Sequence, residues 1–222
     1  MIKIVPNILT DNLKEVRDKL LRLHNITCNV HVDIIDGKFI NNATIKLDDL
    51  KKEKLISKFN VWLHLMVKDP MKFISEAKKN NIEYIIAQIE MMKDQKMFIK
   101  KCKEKKLKAG LALNYESSVK DINSDLLSQL DVILVMTIKA GWSGQELKKE
   151  RLKEITKLWS LKQKKGFTYK IAVDGGVNKK TIPACVQAGA EVLFMHSAVW
   201  KNKDILKAYN GLQELANNNI RN

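Results

Sequence analysis

Short apolar segments alternate along the chain with longer stretches in which apolar residues recur every three or four positions. The strand-like runs are residues 2–5, 29–35, 61–67, 83–89, 107–113, 131–138, 169–173 and 191–195. They are near-continuous in apolar and β-branched residues, the pattern of strands covered on both faces in a parallel sheet. The intervening stretches have helical spacing. Leu13, Val16, Leu20 and Leu23 mark one stripe, and Met97, Ile99 and Cys102 another. Leu147, Leu152, Ile155 and Leu158 mark a long one, and Ile205, Ala208, Leu212 and Leu215 the last. Thr10 or Asp11 is expected to cap the first helix, and Asn178 the helix that runs through Ala184. Pro70 suits the first turn after the third strand.

Eight strand candidates, each followed by a helix candidate, argue for a parallel α/β fold. Eight such units in 222 residues predict a compact (β/α)₈ TIM barrel, with residues 1–222 as a single catalytic domain. A doubly wound sheet is the alternative. It carries a Gly-rich turn after its first strand, and here that turn reads Pro6-Asn7-Ile8-Leu9-Thr10.

Charge changes the picture in one respect. Lys and Arg number 40 against 25 Asp and Glu, a formal net charge of +15. That invites a nucleic-acid reading. The lysines, however, are scattered through helix-like stretches with no basic tail or aromatic-interleaved patch. A solvated Lys-rich face is therefore expected, with no nucleic-acid partner, and its field would favour an anionic substrate. Three widely spaced cysteines, Cys28, Cys102 and Cys185, make neither a disulfide framework nor a metal-binding pair. No apolar run is long enough to span a membrane. No basic flank followed by a long apolar stretch opens the chain, so a cytoplasmic protein without membrane contact is expected.

In a barrel the chemistry sits at the C-terminal strand ends. There the second strand carries His31 and Asp33, which alternation by two puts on one face. The third carries His64, and the seventh ends in Asp174-Gly175-Gly176. Each histidine alone reads as a hydrogen-bonded core residue. Two imidazoles and two carboxylates together in an apolar setting are costly to bury unpaired, and a divalent transition metal would partner all four. Zinc is the first expectation, with Fe²⁺, Mn²⁺ or Co²⁺ as alternatives. Gly141-Trp142-Ser143-Gly144-Gln145 after the sixth strand, Gly175-Gly176 after the seventh and His196-Ser197 after the eighth suit a phosphate site. A tight turn explains Gly-Gly equally well.

These segments resemble the ribulose-phosphate 3-epimerase family over most of the chain. The resemblance rests on Ile4 to Leu9, His31-Val32-Asp33-Ile34-Ile35-Asp36-Gly37, His64-Leu65-Met66-Val67, Lys108 to Asn114, Val135-Met136-Thr137, Gly141 to Gln145, Val173 to Val177 and Ser197-Ala198-Val199. It implies a metal-dependent epimerase that interconverts ribulose 5-phosphate and xylulose 5-phosphate through an enediolate. It implies His31, Asp33, His64 and Asp174 as metal ligands, with Asp33 and Asp174 also the acid/base pair. It implies Met66 and Met136 beside the reacting carbons, His64 near the substrate, and Gly144, Gly175, Gly176 and Ser197 around its phosphate; Asn7, Gly141 and His196 are further candidate substrate contacts. It favours a homo-oligomer.

Some positions depart from the family pattern. Asn7 stands where Ser is usual, Ile35 for Met, and Gln88 for His. Ala140 and Ser143 replace a Pro and a Gly, and His196 stands where Gly normally precedes Ser197. A His there would either crowd the phosphate or bind it. These changes keep open a six-carbon substrate, as in the allulose 6-phosphate 3-epimerases. A non-catalytic sugar-phosphate sensor is the alternative from another class. Residues 38–44 and 140–145 are the loops expected to close over a substrate.

Overall fold

The computed structural model describes residues 1–80 and 82–221. Eight parallel strands close into one barrel in sequence order. They are β1 Lys3–Ile8, β2 Asn29–Ile35, β3 Asn60–Met66, β4 Tyr84–Gln88, β5 Lys108–Leu113, β6 Val132–Met136, β7 Lys170–Asp174 and β8 Val192–Met195. β1 closes the ring, pairing with β8 over Lys3–Pro6 and with β2 at Asn7 and Ile8.

Period-two alternation sorts every strand between two cores. On β2, Val30, Val32 and Ile34 face outward into the layer between barrel and helices, while Ile35 packs inside the barrel. The lumen is filled from β1 to β8 by residues including Val5, Trp62, Tyr84, Ile86, Val132, Leu134 and Phe194. Trp62 and Tyr84 stack with ring centroids 3.6 Å apart. Gly110 on β5 is required by space: a Cβ would lie 2.5 Å from Val132 Cγ1 and 2.9 Å from Ile86 Cγ1. The barrel is thus a packed core with its chemistry confined to one end.

Six helices of six or more residues and two single-turn helices form the outer layer among the described residues. They are α1 Leu13–Leu23, α2 Leu47–Leu50, α3 Ile74–Lys79, α4 Gln95–Glu104, α5 Leu152–Lys165, α6 Ile182–Ala188, α7 Ser197–Trp200 and α8 Ile205–Asn217. Pro70 opens a 3₁₀ turn, Pro70–Phe73, ahead of α3, as its fixed φ suits.

Four expectations need correction. Asn12 rather than Thr10 or Asp11 caps α1, its Oδ1 accepting from Lys14 N and Glu15 N. Asn178 does not cap α6; its Oδ1 accepts from Lys180 N a turn earlier, and Thr181 precedes the helix. On α4 the buried stripe is Phe98, Ile99 and Cys102, while Met97 faces out. The strand-helix alternation also weakens after β5, where two 3₁₀ segments, Val119–Asp121 and Ser124–Gln129, replace an α-helix. Ser118 and Asp121 cap one reciprocally, and Asn123 accepts from Asp125 N in the other. Such side chains offer the backbone local partners that compete with a helix.

Candidate active site

The site is built by alternation at three strand ends. His31 and Asp33 on β2, His64 on β3 and Asp174 on β7 all point into the barrel and are all buried. Each offers a ligand atom, and these atoms lie within 4.8 Å of one another. The strand ends are fixed by neighbouring threonines. Thr44 Oγ1 donates to Asp33 O at 2.8 Å and accepts from Ile35 N. Thr137 donates to Asp174 O from both N, at 2.8 Å, and Oγ1, at 2.9 Å.

The hydrogen bonds around this cluster are incomplete in an informative way. Gln88 Oε1 accepts from His64 Nε2 at 3.1 Å, while its amide nitrogen donates to Glu90 and to Ala112 O. On its other side, His64 Nδ1 lies 2.9 Å from Asp33 Oδ1. A proton or a metal ion between them satisfies both atoms. His31 has no hydrogen-bond partner on either ring nitrogen, although it is fully buried. Its ring lies flat on Phe194, centroids 3.9 Å apart. A buried imidazole with no partner is expensive. A divalent ion supplies what each of these groups lacks, so the four residues fit a metal.

The two carboxylates are driven apart. Burial works to raise Asp33, but the neighbouring His31 and His64 and a hydrogen bond from Asn7 outweigh it and hold Asp33 below its ordinary value. Burial and the charge of Asp33 push Asp174 well above the carboxylate range. Burial lowers His31 to about 3 against the pull of Asp33, so it is neutral at pH 7. One ionised and one protonated carboxyl facing a single cavity can take a proton from one side of a bound molecule and supply one from the other.

A small cavity opens above the cluster at the barrel mouth. Asn7, Asp33, Met66, Met136, Gly141, Gly144, Asp174, Gly175, Gly176, His196 and Ser197 all line it. His31 and His64 do not; they form the buried layer underneath. Trp142 and Ser143, from the glycine segment after β6, also line it, and Leu9, Ile138, Val177 and Phe194, which were not legible in the sequence as site residues, complete the wall. Gly176 has φ +65, and a Cβ there would meet Leu147 N at 2.2 Å, so the turn brings its backbone to the cavity only as glycine. His196 does not fill the cavity. Its Nε2 turns back to Lys19 Nζ at 3.4 Å. Ile35 packs with the lumen core, and Gln88 holds His64. The loops of residues 38–44 and 140–145 meet across the mouth, where Asn42 Nδ2 donates to Gly141 O and Ile40 packs on Gly141. Among the described residues no helix is long and apolar enough to cross a membrane.

Comparison with known proteins agrees with this geometry. Ribulose-phosphate 3-epimerase from Methanocaldococcus jannaschii is 33% identical over 217 residues, covering 97% of this chain and 92% of that protein. The Bacillus subtilis protein of the same name is 30% identical over 212 residues, covering 94% and 96%. Among solved structures, a 3-hexulose-6-phosphate synthase superposes with a TM-score of 0.68 over 97% of this chain and 99% of that one, at 15% identity, a likeness of fold alone. A sequence model of the "Ribulose-phosphate 3 epimerase family" matches residues 3–200. The chain therefore belongs to the ribulose-phosphate 3-epimerase family and is an epimerase.

Proposed function

We propose that the protein inverts C3 of D-ribulose 5-phosphate to give D-xylulose 5-phosphate by two-base proton transfer. The observation that carries this reading is the pair Asp33 and Asp174, facing one cavity with their proton affinities pushed in opposite directions. The C3 hydrogen of a 2-keto sugar is acidic because its loss leaves charge on oxygen in an enediolate. Asp33, ionised, takes that proton from one face of C3. Asp174, protonated, returns one to the other face, and the reverse reaction exchanges their roles.

One divalent ion held by His31, Asp33, His64 and Asp174, zinc foremost, would supply Lewis-acid stabilisation of the developing oxyanion. Met66 and Met136 present thioethers to the cavity and exclude water from the reacting carbons. Asn7 lines the cavity with Asp33, and its Oδ1, buried without a partner, is free to accept a sugar hydroxyl. The phosphate lies at Gly141, Gly144, Gly175, Gly176, His196 and Ser197. Gripping it there lends remote binding energy to orientation at C3.

The test is exchange of the C3 hydrogen for deuterium in D₂O, followed by proton NMR with metal-loaded and chelator-treated protein. Metal-dependent exchange with appearance of xylulose 5-phosphate is the expected result. Asp174→Asn, folded and metal-loaded, is expected to lose at least about 10³-fold in kcat. Exchange at the parental rate in that variant would sink the two-base assignment. Rates on five- and six-carbon ketose phosphates, measured in the same assay, decide the carbon count.

A further inference from the structure

Among the described residues that line the cavity, none is Lys or Arg, while two are carboxylic acids. Backbone N–H groups of the glycine loops can hold a phosphate dianion there, and a nearby charged or polar side chain would add to them. Lys19, on α1, has its ammonium directly behind the wall. It is the one lysine buried among the described side chains, at 6% exposure. Its Nζ lies 2.7 Å from Glu15 Oε1 and 5.3 Å from the centroid of Trp200, whose indole N–H is fixed on Asn7 O. Its remaining contact is His196 Nε2 at 3.4 Å.

That contact decides the tautomer of His196. An ammonium donates and cannot accept, so Nε2 must present its lone pair. Burial, and secondarily the charge of Lys19, lower His196 to about 4, so the ring is neutral at pH 7. Its proton is therefore on Nδ1. Nδ1 is buried and has no hydrogen-bond partner, although the ring itself lines the cavity beside Ser197. An unpaired buried donor is a cost that an anionic acceptor removes.

We infer that Lys19 and His196 form a two-residue grip for the substrate phosphate, in which Lys19 fixes the ring so that His196 Nδ1–H donates to a phosphate oxygen. Lys19 is a positioning residue: it never touches the substrate, but it orients the donor. This rests on the reading that the phosphate lies between the loops after β6, β7 and β8.

The test uses the full-length protein with Lys19→Met, Lys19→Arg and His196→Gly, and inorganic phosphate as the calorimetric probe. Lys19→Met is expected to raise the inorganic phosphate Kd and the KM for ribulose 5-phosphate about tenfold each, the loss of one charge-assisted contact. Its kcat is expected to fall by a smaller factor than KM rises, because C3 chemistry lies at Asp33 and Asp174 and only its orientation draws on the phosphate. Lys19→Arg is expected to restore most of the affinity. With ¹⁵N-histidine labelling, the four histidines of the chain give four ring spectra, and His196→Gly identifies one of them. That ring is expected to show the Nδ1–H tautomer in the parent and a tautomer mixture in Lys19→Met. If Lys19→Met unfolds, Lys19→Gln makes the same test.

Parental phosphate affinity in folded Lys19→Met and Lys19→Gln, with His196→Gly weakened, overturns the role of Lys19. Parental affinity in His196→Gly as well overturns the grip altogether. Parent protein that binds phosphate through both residues but does not epimerise leaves the inference standing and defeats the reaction assigned above. Parent protein that turns over while none of the three variants changes KM defeats the inference alone.

Discussion

His31 has the clearest energetic signature of any single residue. Its ring is buried without partners, and that burial lowers it from about 6.5 to about 3. In the unfolded chain it takes up a proton below about pH 6.5, while in the folded chain it does not. Its contribution to stability is therefore fully present above 6.5 and is lost as pH falls toward 3. Through that window one withheld proton is worth about 1.4 kcal/mol per pH unit. His196, lowered to about 4, acts in the same direction, whereas the raised Asp174 carboxyl holds a proton when folded and opposes them. His31→Gln is thus expected to flatten the acid side of the stability curve of chelator-treated protein by about one proton's worth. Urea unfolding at pH 7, 6 and 5 reads it, and parallel curves for parent and variant would refute the assignment. The four-residue cluster was legible in the sequence because strand alternation puts His31 and Asp33 on one face and strand order carries the rest to one end. Lys19 was not, although a signal was present: it lies three residues after Val16 and four before Leu23, inside the buried stripe of α1. A charged residue there reads as a flaw in the pattern until a partner such as His196 is known.

Among the elements, all eight strands were legible, each within three residues of its observed bounds, because both faces of each are covered and the apolar run is long. Helices were less so. After β2 the chain makes only α2 and a 3₁₀ segment, Lys54–Lys58, and after β5 it makes 3₁₀ turns alone. Turn-forming Ser, Asn and Asp residues overrode the apolar period there. The strand-to-helix link after β6 is held instead by a residue that sequence pattern does not single out. Arg151 is buried at the start of α5, and its guanidinium donates to Met136 O, Ser117 O and Asn114 O. It ties the end of β6 to the turn after β5, beneath the loop that carries Gly141 and Gly144. Arg151→Met would remove a donor from each of three carbonyls, leaving Asn114 O only its bond from Ser117 N, at a cost of about 3 kcal/mol. For a domain of this size that is a fall of roughly 6–12 °C in Tm. Lysine at 151 offers no planar fork for three carbonyls and is expected to recover less than half of it. A shift under about 2 °C for Arg151→Met, measured by calorimetry, would show that the backbone turn holds without it.

At the scale of the molecule, the +15 charge and the closed barrel pose one question: what offsets a buried cluster of His31, Asp33, His64 and Asp174 that is incompletely hydrogen-bonded? Packing cannot, because it gives the ring nitrogens of His31 no hydrogen-bond partner and the cavity opens above Asp33 and Asp174. The surface lysines cannot either, since exposed charge is screened over about 10 Å at ordinary ionic strength. A bound divalent ion can, and because the four ligands come from β2, β3 and β7 it would cross-link strands that do not all adjoin one another. Binding to the folded state alone adds RT ln(1 + [M]/Kd), about 2.7 kcal/mol at a hundredfold excess over Kd. For a chain of this length that is a rise in Tm of roughly 5–10 °C over chelator-treated protein. Protons and the metal compete for the same ligand atoms, so binding is also expected to release protons and weaken as pH falls. His64→Ala removes one ligand and is expected to abolish most of both effects, while Arg151→Met, distant in role, keeps the metal-dependent rise from its own lower baseline. Calorimetric titration with Zn²⁺, Fe²⁺, Mn²⁺ and Co²⁺ in two buffers of different ionisation enthalpy measures affinity and proton release together. Equal Tm with and without every one of these ions, and no proton release, would mean that the cluster holds protons instead of a metal. Acid/base chemistry at C3 would then rest on Asp33 and Asp174 alone.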